Sequence, residues 1–114
     1  MLRTELNNIS LTTYIPSQVI IQAGKDDNER VLDLKRNKFL LNNCPQVVTD
    51  RIVTLLKLGL QVAVKCRDNE DLLITQNLFE KLRYTNPSID LKEESRDEGV
   101  LFRRTNQYAV ISNI

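Results

Sequence analysis

The side chains in this 114-residue sequence whose spacing suggests chemistry are its cations. Lys35, Arg36 and Lys38 fall within four positions, with only Asp33 close by. Arg96, Arg103 and Arg104, preceded by Lys92, surround a second stretch. Ammonium and guanidinium groups at such a density neutralise phosphates, and the counterions they release make binding salt-dependent. The same groupings occur on ordinary solvated turns, and Glu93, Glu94, Asp97 and Glu98 offset the second cluster. Arg67 stands three residues before Glu70 and is read either as an RNA contact or, first, as the partner of that carboxylate.

Other chemistries lack their residues. Histidine is absent, which removes the commonest general base and metal ligand. Cys44 and Cys66 have no paired spacing, so neither a disulfide framework nor a cysteine zinc site is expected, and they read as small apolar side chains. No metal, cofactor or enzymatic activity is expected. Lys plus Arg number 16 and Asp plus Glu 15, a net charge of +1, so no global field draws in a polyanion and any nucleic-acid contact must be a local patch. No run of about 18 apolar residues is present, and the N-terminal stretch carries no secretory signal; a cytoplasmic or nuclear protein without membrane association is expected.

The elements that must position these cations follow from pattern. Ile9 to Ile15 and Val19-Ile20-Ile21 read as short strands, and Gly24-Lys25-Asp26-Asp27-Asn28 as a turn. Arg30–Leu34 and Lys38–Leu41 flank Lys35-Arg36-Asn37 and suggest a hairpin, with Asn37 supplying a positive φ. Pro45 opens a helix whose apolar stripe (Val47, Val48, Ile52, Leu55, Leu56, Leu58) ends at Gly59. Leu60 to Cys66 alternates as a strand. Asp68 caps a second amphipathic helix carrying Leu72, Ile74, Leu78, Phe79 and Leu82, which closes before Asn86-Pro87. Ser88–Lys92, Val100–Arg104 and Tyr108–Ile111 are strand-like, with a turn at Arg96–Gly99. Phe39, Phe79 and Phe102 are assigned to core or interface. Tyr14 and Tyr108 are the candidates for exposed stacking, with packing the first reading of each.

This order resembles the Alba superfamily of small nucleic-acid-binding proteins. Lys38-Phe-Leu-Leu-Asn-Asn-Cys-Pro45 is similar to that family's first strand and helix-opening proline, Leu58-Gly59 to the end of its first helix, and Gln61–Arg67 to its second strand. The second helix, Pro87 and Ile89–Glu94 continue the similarity over about residues 38–114. The family's lysines before the first helix are replaced by Asn42, Asn43 and Cys44, and its basic loop after the second strand by the acidic Arg67–Asp71. The C-terminal domain of translation initiation factor 3 has the same element order. Gly24–Asp27, with Asp68-Asn69-Glu70, resembles the magnesium-binding motifs of a Toprim domain, but Ala23 stands in place of its catalytic glutamate. Arg30–Asn42 resembles the strand-adding clamp of peptide-modifying systems, which the strand after Gly59 argues against.

The resemblance implies an α+β two-layer domain at 38–114, β-α-β-α-β-β, with two helices on one face of a mixed four-stranded sheet; residues 1–37, which the resemblance does not explain, read as a strand-rich extension that adds strands to the sheet or binds a partner. It further implies a non-enzymatic RNA- or DNA-binding protein acting as a homodimer, as a heterodimer with a related protein, or as a ribonucleoprotein subunit like the Alba-like subunits of RNase P and RNase MRP. The candidate contacts are Lys35, Arg36, Lys38, Lys92, Arg96, Arg103 and Arg104. Leu73 and Val53, outside the helical stripes, suggest a partner surface. The alternative is a protein-interaction module on the same fold.

Overall fold

Helices and a strand form where local signals place them. In a computed structural model describing residues 14–99 and 101–114, β1 (Gln22–Ala23) and β2 (Glu29–Asp33) precede α1 (Lys38–Asn43) and α2 (Pro45–Lys57). These are followed by β3 (Gln61–Cys66), α3 (Asn69–Thr85), β4 (Ile89–Glu98) and β5 (Arg104–Asn113). Pro45 occupies the first position of α2, and Gly59, at φ +82°, takes the left-handed conformation that ends it. The Asp68 carboxylate caps α3 by accepting from the Asp71 amide at 2.9 Å.

The five strands order as β1-β2-β3-β5-β4 in one mixed sheet. Strand β2 runs parallel to β3, and the other neighbours are antiparallel. Register puts Leu32, Val62, Val64, Ala109 and Ile111 on one face. There they pack with Val48, Ile52, Leu55 and Leu56 of α2 and Leu78, Phe79 and Leu82 of α3 in a single core cluster. Both long helices therefore cover the same face, as expected for two layers and not for a doubly wound fold. The opposite face carries a smaller cluster, Val31, Ala63, Tyr108 and Val110. No helix among the described residues is long and apolar enough to cross a membrane.

Several expectations are corrected. The sheet has five strands, not four. Lys38–Asn43 is helical, not the first strand, and the parallel neighbour of β3 is Glu29–Asp33, within the segment read as an extension. Asn37 has φ −106° and so turns no hairpin. Its buried side chain accepts from the Ile20 amide at 2.7 Å and donates to the carbonyls of Ile20 and Asp33 at 3.1 and 2.9 Å. That pins the preceding segment to the end of β2 and starts a helix instead. The strand near Val19-Ile20-Ile21 is Gln22–Ala23. Of the proposed Ile9–Ile15 strand, residues 9–13 lie outside the described residues, and Tyr14 and Ile15 are not in a strand. The last turn comes later than Arg96–Gly99, because β4 continues to Glu98, and Leu101–Arg103 belong to the hairpin tip. Val53 packs at the margin of the core, whereas Leu73 is exposed.

Candidate nucleic-acid interface

The turn from β2 into α1 sorts its residues by face. Leu34 and Asn37 point inward and are buried, so Lys35, Arg36 and Lys38 are left on the outside. The buried carboxylate of Asp33 shapes the turn, accepting from the Lys35 amide at 3.0 Å and pairing with Arg67 at 2.8 Å. Burial alone would raise its pKa, but the Arg67 guanidinium and the Lys35 amide outweigh burial and lower it. Arg67 thus pairs with Asp33, not Glu70, because the parallel register of β2 and β3 brings the two strand ends together. Lys35, Lys38 and Arg67 line a crevice of about 270 Å³ with Asp68, Glu70 and Asp71. Two of those carboxylates are engaged locally: Asp68 caps α3, and Asp71 accepts from the Arg67 amide at 2.9 Å.

The β4–β5 hairpin uses its charges differently. Arg96 reaches across the open face of the sheet to Glu29, making two parallel bonds of 2.6 and 2.8 Å, and it also pairs with Glu94. Glu29 is fully buried and accepts further from Gln61 at 2.7 Å and the Lys25 amide at 3.1 Å. Burial raises its pKa, but these four donors prevail and hold it at about 2. Its bonds to Glu29, and then to Glu94, raise the pKa of Arg96 against the opposing effect of burial. The guanidinium lies 4.6 Å from the centre of the Tyr108 ring, a cation–π contact over the small apolar cluster. Tyr108 is buried, which pushes its pKa up to about 12 together with the hydrogen bond its hydroxyl donates to Glu98 at 2.7 Å. That bond, with a second from Asn106, lowers the pKa of Glu98. Gly24 makes room for this arrangement: a Cβ there would stand 2.6 Å from Cγ of Glu29.

Of the seven expected cations, Lys35, Arg36, Lys38, Lys92, Arg103 and Arg104 are exposed, and none forms an ion pair among the described residues. Arg96 is committed to Glu29 and Glu94 with its side chain only 15% exposed, so it is not available to phosphate. Arg103 and Arg104 sit at the hairpin tip, and Lys92 lies farther back on β4. Two features escaped sequence reasoning. One is the Glu29–Arg96 pair, for which the alternation Glu29, Val31, Asp33 beside Gly24 was the available signal. The other is the tip, where Leu101 and Phe102 are 89% and 84% exposed. Phe102 is thus not a core residue, and Phe39 is also exposed, edge-on to Tyr14 at 6.0 Å. Tyr108 is buried, and so is Cys66, whose thiol pKa burial raises, which makes it a poor nucleophile. No protein-family model, curated protein or solved structure matches this chain.

Proposed function

We propose that this chain is a non-enzymatic protein that binds RNA or DNA through the phosphate backbone, as a dimer or as a subunit of a ribonucleoprotein. One observation carries the reading: six of the seven cations singled out by spacing are exposed and lack an ion pair among the described residues, while the seventh, Arg96, is half-buried and paired. Cations that form no ion pair keep their charge available for phosphates. From β2 onward, strand, helices, strand, helix and two strands follow one another with both long helices on one sheet face; this supports the same reading, although the first of these strands is Glu29–Asp33 and not the Lys38–Leu41 segment that the Alba resemblance takes for it.

Leu73 and Tyr84, exposed along the outer surface of α3 at 58% and 93%, favour a second reading, a protein-interaction module on this fold. Gel-shift titrations of RNA and DNA at two salt concentrations, alone and with candidate partner proteins, separate them. Backbone binding predicts retardation at low salt, weakened at high salt and similar for unrelated sequences. Absence of any shift at low salt, with capture of a partner protein, transfers the case to the second reading.

A further inference from the structure

The hairpin tip is built to project apolar side chains into solvent. Gly99 has φ +124°, and a Cβ there would collide with the carbonyl oxygen of Phe102, so a side chain at this position is excluded. Behind it the hairpin is fixed by the bidentate Arg96–Glu29 pair and by the bonds of Tyr108 and Asn106 to Glu98. Beyond these anchors Leu101 and Phe102 stand almost fully exposed, followed directly by Arg103 and Arg104. A shallow hollow of about 390 Å³ is lined by Leu101, Phe102, Arg104, Asn106 and Glu98.

On the proposal that the chain binds nucleic acid, we infer that this tip captures one unpaired base of a single strand, stacking it on Phe102 while Arg103 and Arg104 hold the adjoining phosphates. The hollow combines what a planar heterocycle on a phosphodiester chain requires: an aromatic face, polar groups at its edge and a cation beside it. The carboxylate of Glu98 already accepts from Tyr108 and Asn106, which ties its charge inward. A duplex is the poorer ligand, because opening a paired step costs about as much as one stacked aromatic returns. An anionic bilayer is poorer still. Its flat surface would meet Asp97 and Glu98 behind the tip together with the arginines, whereas a flexible strand can turn its phosphates toward Arg103 and Arg104 alone.

Anisotropy titrations of a short oligonucleotide, single-stranded and as its duplex, test this with wild type, Leu101→Ala/Phe102→Ala, Phe102→Trp and Arg103→Ala/Arg104→Ala. The single strand should bind more tightly than the duplex. The apolar double variant should weaken single-strand binding about 5- to 150-fold without changing the salt slope, and Phe102→Trp should retain affinity. The arginine double variant should flatten that slope by roughly 0.7 per lost phosphate contact. Both apolar side chains are exposed, so thermal unfolding should be unchanged and a loss of binding is not a loss of fold. The inference is overturned if the apolar double variant binds as tightly as wild type, or if it weakens duplex and single strand equally. It is also overturned if the tip instead confers binding to phosphatidylserine vesicles. Binding that survives at the tip variants but is lost in Lys35→Ala/Arg36→Ala/Lys38→Ala overturns the inference alone. A wild type that binds neither strand form at low salt overturns the parent reading as well.

Discussion

Arg96 and Lys38 both belong to cation clusters visible in the sequence, yet the molecule uses them in opposite ways. On the open sheet face, Arg96 meets a fully buried carboxylate that already has two other donors, and its charge is consumed internally. At the turn leading into α1, the inward positions go to Leu34 and Asn37, and the three cations there have no ion pair among the described residues. Where a cation is desolvated it needs a partner and contributes to folding. Where it stays hydrated, a surface pair would return little and the charge remains available for a ligand. The two regions should therefore respond oppositely to mutation, paired cations through stability and unpaired ones through binding.

The largest effect is expected from Arg96→Ala. It leaves Glu29 buried with only Gln61 and the Lys25 amide as donors, and chemical denaturation should show a loss of about 3–5 kcal/mol. Glu29→Ala should cost less, because Arg96 keeps Glu94 and some solvent contact. Equal losses from the two variants would contradict this asymmetry. Gly24→Ala presses a methyl group against Glu29 and should cost about 1–3 kcal/mol in the same assay. Stability unchanged by this variant would show that the clasp tolerates displacement.

Acid sharpens the contrast. Glu29 has its pKa lowered from an ordinary 4.5 to about 2, so its stabilising contribution is complete above about pH 4.5 and is lost as pH falls from there toward 2. Glu29→Gln should flatten the acid limb of a stability–pH curve in that window. A limb of unchanged steepness would place the acid sensitivity on other carboxylates. The smallest effect is expected from Arg67→Ala. Its partner Asp33 is buried, but the Arg67 side chain is 45% exposed, and the pair should contribute no more than about 1 kcal/mol.

The sequence carried the fold where signals are local. Pro45, Gly59 and Asp68 bound their elements, and the stripes of α2 and α3 and the alternation of β3 identify the core-facing residues Val48, Ile52, Val62, Val64, Leu78 and Leu82. It misled at Lys38–Leu41, because a three-residue apolar run has no period long enough to separate helix from strand. What decides that segment is non-local: Asn37 bonds to Ile20, seventeen positions away, and β2 pairs in parallel with β3. The candidate site divides in the same way. Exposed cations are visible as sequence clusters, but the removal of Arg96 from that set depends on Glu29, sixty-seven residues earlier. The exposure of Phe102 depends on β4 running on through Glu98, which the acidic pattern there does not announce.

Backbone binding is tested most directly by how affinity for RNA or DNA varies with salt, measured as the slope of log Kd against log salt for wild type and for Lys35→Ala/Arg36→Ala/Lys38→Ala, with stability recorded in parallel. The prediction is measurable wild-type binding at low salt, a slope flattened in the triple variant by up to roughly 0.7–0.9 per lost phosphate contact, and unfolding indistinguishable from wild type. Superimposed slopes, or a wild type that binds no nucleic acid at low salt, would contradict it.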